Sequence, residues 1–109
     1  MNWRPVGDGM VMAILSGDPD KTDSPFVIRY RTSRAVEVGA HWHPGDEHVT
    51  VLEGVYKLGY GGTYDAASLQ EFGPGAYVHI RKTIHHFTWY ADGTIVQVNG
   101  LGPFRTFYV

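Results

Sequence analysis

The chain has 109 residues, 43% of them apolar, no cysteine, and a formal net charge of −2 with histidine neutral. That length suits one domain with a true core rather than two. The lack of cysteine excludes disulfides, zinc–thiolate sites and thiol nucleophiles, and the lack of any run of Lys and Arg removes the electrostatic footprint of a nucleic-acid binder.

Fourteen glycines and six prolines divide the chain into short pieces. No helical period is sustained over about 11 residues, so an all-β domain is expected. The opening Met1–Asp20 stretch lacks the basic start and small-residue cleavage site of a secretory leader. Its apolar run, Met10–Leu15, is far shorter than the roughly 18 residues of a membrane span. A cytoplasmic location and no membrane partner are therefore expected. Strands are expected over 10–15, 26–32, 35–43, 48–54, 55–60, 76–81, 85–91, 94–100 and 104–109, with a polar loop at 17–25. The long polar stretch 61–75 reads as a loop, with a helical turn at Ala66–Gln70. The Gly59–Gly62 stretch at its edge is no phosphate loop, because neither a helix start nor a Lys-Ser/Thr pair follows. So many short, regularly spaced strands imply a closed sandwich or barrel, since closure leaves few free edges.

All six histidines lie between His41 and His86. In a strand, residues i and i+2 share a face, so His41 and His43 stand side by side with Trp42 opposite. Their Cα atoms are roughly 7 Å apart, close enough for both imidazoles to reach one ion at roughly 2.1 Å. Pro44-Gly45-Asp46 reads as a turn, with Asp46 serving turn chemistry. Glu47 follows where the strand resumes, placed to return a carboxylate to the same ion. A fourth ligand must come from elsewhere. His85 and His86 are adjacent and face opposite ways in a strand, so one of them would reach, and spacing alone does not choose. Thr88 and Tyr90 share the face of His86. Gln97 and Asn99 share a face with each other, and an inward Asn99 would orient a ligand. His79 reads as a structural histidine or a pocket residue.

The stretch His41–Gly54 resembles the first motif of the cupin superfamily: two histidines one residue apart, a glutamate after three or four residues, and a glycine ending the strand. His41, His43, Glu47 and Gly54 match it. Gly75–His86 resembles the second motif, with Arg81 and Thr83 where the family has Pro and Gly, and His86 on the metal-binding histidine. Ala35 replaces the first motif's leading glycine and Tyr90 the second motif's asparagine. The resemblance implies a single cupin-like domain over 1–109, a double-stranded β-helix or jelly-roll barrel. It implies the ligand set His41, His43, Glu47 and His86 around one divalent transition-metal ion (Fe, Mn, Ni, Co or Zn). A one-residue longer gap would substitute His48 for Glu47, but the six residues up to Gly54 favour Glu47, leaving Asp46 and His48 in turn and outer-face roles. His85 is the alternative to His86. The family also implies a small-molecule ligand or substrate and a homodimer paired through edge strands. Its activities range over oxygenases, isomerases, epimerases, decarboxylases and non-catalytic sensors. The expectation is a metal-dependent, oxygenase-like enzyme acting on a small organic molecule, with a non-catalytic metal- or metabolite-binding module as the alternative.

Overall fold

The computed structural model describes all residues from Met1 to Val109. Its strands are β1 (Arg4–Gly7), β2 (Met10–Gly17), β3 (Pro25–Thr32), β4 (Val36–Trp42), β5 (Glu47–Glu53), β6 (Tyr56–Tyr60), β7 (Gln70–Phe72), β8 (Tyr77–Ile80), β9 (His86–Tyr90), β10 (Ile95–Leu101) and β11 (Phe107–Tyr108). They form two antiparallel sheets, ordered β1-β2-β3-β10-β5-β8 and β11-β4-β9-β6-β7. No helix is long and apolar enough to cross a membrane.

Two strands lack a sequence signature. β1 contains Pro5, which an edge strand paired on one side tolerates. β7 has only three residues, too few to display a period. The helical turn expected at Ala66–Gln70 is a short 3-10 turn over Ala66–Ser68, opened by the Asp65 carboxylate accepting from the Ala67 N–H. Leu69 is already extended, and β7 begins at Gln70.

The core lies between the sheets and follows from alternation. Val49 and Val51 on β5, Val96 and Val98 on β10, and Phe26 and Ile28 on β3 all point inward and are nearly inaccessible. From the opposite sheet they meet Tyr56, Leu58 and Tyr90. Each such aliphatic side chain contributes about 1.5–3 kcal/mol on burial. The β5–β6 turn needs Gly54: its φ is +79°, and a Cβ there would lie 2.4 Å from Thr94 Oγ1. That hydroxyl accepts from the Val55 N–H and donates to the Ala91 carbonyl, tying the turn to the one before β10.

β9 breaks the alternation, since His86, Phe87 and Thr88 are all buried. His86 and Thr88 face the barrel interior. Phe87 lies on the outer side, where Tyr64 from the 61–75 loop covers it at 5.3 Å between ring centroids. Its cross-strand partner is Gly59, and a Cβ at Gly59 would come within 2.3 Å of the Phe87 ring. The glycine is thus the recess that the ring fills. Gly59→Ala is expected to destabilise the protein by about 2 kcal/mol through overpacking, a fall of roughly 10 °C in Tm. Most of that loss should return in the Gly59→Ala/Phe87→Leu double variant. Thermal unfolding of the three variants checks this, and additive losses would mean that the two sites do not touch.

Candidate metal centre

His41, His43, Glu47 and His86 meet inside the barrel, and all four are buried. β4 and the residue after its end supply the first two histidines, His41 and His43, through an irregularity in the pairing of β4 with β9. Val38 pairs with Thr88, but His41 pairs with His86, so three steps along β4 match two along β9. This bulge at Gly39–Ala40 shifts the side-chain parity. Val36 and Val38 line the interior upstream of it, and His41 and His43 line it downstream. Unbroken alternation would have turned Ala40 and Trp42 inward instead. Trp42 lies on the outside, stacked on Phe107 at 4.5 Å.

Each imidazole commits its Nδ1–H to a main-chain carbonyl: His41 to Gly39 at 2.7 Å, His43 to Arg105 at 2.9 Å and His86 to Ile84 at 3.0 Å. A carbonyl only accepts, so every ring is held as the tautomer whose Nε2 carries a lone pair. The donor atoms of the three histidines lie within 4.8 Å of one another. The Glu47 carboxylate straddles two of them, Oε2 at 3.6 Å from His43 Nε2 and Oε1 at 3.8 Å from His86 Nε2. These are not ion pairs. Burial pulls the His43 and His86 imidazoles down to about 4, lowers His41 as well, and pushes the Glu47 carboxyl up to about 7.

The buried His86 Nε2 has no hydrogen-bond partner, although such orphans are costly. Donors on a shared ion at ~2.1 Å stand ~3.0 to ~3.4 Å apart in octahedral or tetrahedral arrays. The Glu47 separations are only slightly wider. Three neutral nitrogen donors and one carboxylate therefore fit a divalent transition ion, which would give His86 Nε2 its missing partner.

A cavity of about 620 Å³ opens in front of this cluster. Its walls include Met10, Met12, Val36, Val38, Tyr30 and Tyr90, with Arg4 at the mouth. The C-terminal segment forms another wall: Phe104 stacks on His43 at 4.8 Å, and Tyr108 approaches His41 at 5.8 Å. Burial raises the Tyr30 and Tyr90 phenols well above their ordinary range, so both stay protonated as hydrogen-bond donors. Thr88 Oγ1 is buried at the same cavity without a partner.

Among the remaining residues considered from sequence, His85 is exposed, away from the cluster that receives His86. His48 and His79 lie on the outer face of the first sheet, as does Asp46. Asn99 is exposed there too, as the cross-strand partner of His48, so it orients nothing inside. Sequence reasoning missed Tyr30, Phe104, Tyr108 and the Arg105 carbonyl. Phe104 and Tyr108 were legible only as aromatic residues of a closing strand.

No family model matches this chain, and no curated protein does. Solved structures do. An RmlC-like cupin from Shewanella frigidimarina superposes with a TM-score of 0.74 at 14% identity, over 92% of this chain and 82% of that one. The polyketide cyclase RemF from Streptomyces resistomycificus gives 0.71 at 20%, over 93% and 71%. A variant of salicylate 1,2-dioxygenase from Pseudoaminobacter salicylatoxidans, in complex with gentisate, gives 0.73 at 13%, over 93% of this chain and 29% of that one. At such identities the likeness concerns the fold, and this chain has the cupin fold.

An ion entering this cluster would displace protons according to the shifted values. Above about 4 the His43 and His86 imidazoles are already neutral, whereas Glu47 keeps its proton up to about 7. Affinity for Zn(II) should therefore rise with pH by about one decade per unit across this window, corresponding to one proton released. Imidazoles at their ordinary 6.5 would add their own protons to that of Glu47 and give a much steeper slope below that value. Competition titrations at a series of pH values measure it. In Glu47→Gln the slope should nearly vanish.

Proposed function

We propose, with the cupin fold as the premise, that this chain is a mononuclear metal-dependent enzyme, oxygenase-like, acting on a small organic molecule. His41, His43, Glu47 and His86 would hold one divalent transition ion, Fe, Mn, Ni, Co or Zn. The observation that carries the reading is the convergence of three Nε2 atoms and one carboxylate, with His41, His43 and Glu47 lining a cavity of about 620 Å³, a volume that suits a small ligand. When bound, such an ion supplies Lewis acidity toward a ligand oxygen or, as iron, reactivity with O₂.

The chain's own residues do the rest. The Nδ1–H bonds to Gly39, Arg105 and Ile84 orient the three rings before any ligand arrives. The apolar walls from Met12, Val36, Val38 and Phe104 exclude water around a hydrocarbon or aromatic skeleton. Tyr30 and Tyr90, kept protonated by burial, donate to ligand oxygens. The occurrence of a cyclase and a gentisate-bound dioxygenase on the same fold supports a small oxygenated organic substrate.

One observation favours a second reading, a metal- or metabolite-binding module without turnover. Glu47 is the one buried carboxyl of the cavity, since Asp8, Asp20 and Glu37 line it from exposed positions. Its phenols Tyr30 and Tyr90 are held protonated by burial, and His79 and His85 face outside.

Metal content is the first test. Untagged protein purified without added metal should carry up to one ion in this site, and His43→Ala should weaken retention by more than the roughly 10–100-fold that follows loss of a ligand's hydrogen-bond partner. Undiminished metal in His43→Ala would sink the assignment. Oxygen uptake by Fe(II)-loaded protein over catechols, diketones and thiols then separates the two readings: turnover supports the enzyme, and silence with the ion bound supports the module.

A further inference from the structure

The first sheet carries a second cluster of metal-binding side chains on its other face. β5 alternates, so Glu47 points into the barrel while His48 points out. His48 pairs across the strands with His79 on β8, and their rings stack at 4.5 Å between centroids, 16° from parallel. Asp46, just before β5, completes the group: its Oδ2 lies 3.0 Å from His79 Nε2, and its Oδ1 accepts the Lys82 N–H at 2.8 Å. Donor atoms of Asp46, His48 and His79 all lie within 4.8 Å of one another.

Each donor is held by its surroundings. The Lys82 N–H donates to Asp46 Oδ1 and His79 Nε2 lies on its Oδ2, which fixes the orientation of the carboxylate. The Tyr77 hydroxyl engages His48 Nδ1, leaving Nε2 as the free ring nitrogen. The cross-strand register fixes the spacing of the two imidazoles. Beside the cluster lies an outer cavity of about 680 Å³ bordered by Asp46, His48, Lys82 and Asn99. It gives an ion room for water or a small ligand in its remaining positions.

We propose that Asp46, His48 and His79 form a second, solvent-facing site for a divalent transition cation of the Zn(II) class. Two imidazoles and one carboxylate suit such borderline ions, whereas Ca(II) and Mg(II) call for all-oxygen shells. The donors are half-exposed at most, so small side-chain rotations bring them onto one ion. The site shares no ligand with the interior cluster, because the two sets project from opposite faces of β5. It also has a mechanical consequence. β8 is the edge strand of its sheet, held by β5 alone, and an ion on His48 and His79 clips the two strands together.

The test is Zn(II) stoichiometry and affinity on the metal-stripped, untagged full chain, by equilibrium dialysis with elemental analysis. Wild type should bind two equivalents. His79→Ala and His48→Asn should each lose one, with affinity there falling by roughly tenfold or more. His43→Ala should keep the outer equivalent, and His43→Ala/His79→Ala should bind none tightly. Circular dichroism checks that the surface variants are folded, and imidazole NMR resonances of His48 and His79 should shift with the second equivalent. The proposal is overturned if His79→Ala keeps the wild-type stoichiometry, or if the second equivalent binds only at millimolar Zn(II). Failure of the interior assignment looks different: His43→Ala would then retain everything, whatever the outer variants do.

Discussion

The interior cluster depends on three hydrogen bonds from imidazole Nδ1–H groups to main-chain carbonyls. They decide which nitrogen of each ring faces the other members of the cluster, and they hold the rings in place. Two of the acceptors, Gly39 and Ile84, lie two residues before the histidines they hold, so the backbone that carries each ring also aims it. The third is Arg105, from the C-terminal segment. The end of the chain is therefore part of the scaffold of the site and not a loose appendage, and the stacking of Phe104 on His43 reinforces it. Such a cluster is a burden on the apo fold. A barrel lined by aliphatic groups at these positions would bury no carboxylate and leave no orphan nitrogen at His86. Under the proposed function, that cost is offset by what binds there.

How much of this was legible in the sequence depends on how local each feature is. The inward sets Phe26/Ile28, Val49/Val51 and Val96/Val98 are local, each obeying the alternation of its own strand, and all six are core. The pairing of His41 with His43 on one face is local too. Which face that is depends on a bulge at Gly39–Ala40, and a bulge is a property of register with β9, not of β4. Alternation carried back from His43 would have placed Val36 and Val38 outside, yet they line the cavity. The choice between His85 and His86 was likewise open locally. His86 is buried opposite His41, and His85 is exposed.

Other features were illegible because their partners are remote. Phe87 has no reason to be buried on the outer side of β9 until Tyr64 arrives from a loop more than twenty residues upstream and Gly59 leaves it space. Asn99 reads equally well as a ligand-orienting amide or a strand-end one, and only the β5–β10 register puts it opposite His48 on the outside. Tyr30 enters the cavity from a strand that no histidine motif touches. Pocket walls are assembled from many elements, and sequence patterns describe one element at a time.

β5 links the two faces of the molecule. Three consecutive residues, Asp46, Glu47 and His48, go outside, inside and outside, and a slip of one residue would exchange the sets. The register is held from three directions. Val49 and Val51 are buried in the core. β10 and β8 flank the strand on both sides. At its far end Gly54 turns with a positive φ against Thr94, whose hydroxyl bonds the Val55 N–H and the Ala91 carbonyl. A bulkier residue at Gly54 would strain that turn and press on Thr94, far from any histidine. It would loosen the constraint that keeps Glu47 among the imidazoles and, by the same parity, keeps His48 opposite His79. The glycine ending the first motif thus acts on chemistry it never touches, by holding the register of the strand that carries it.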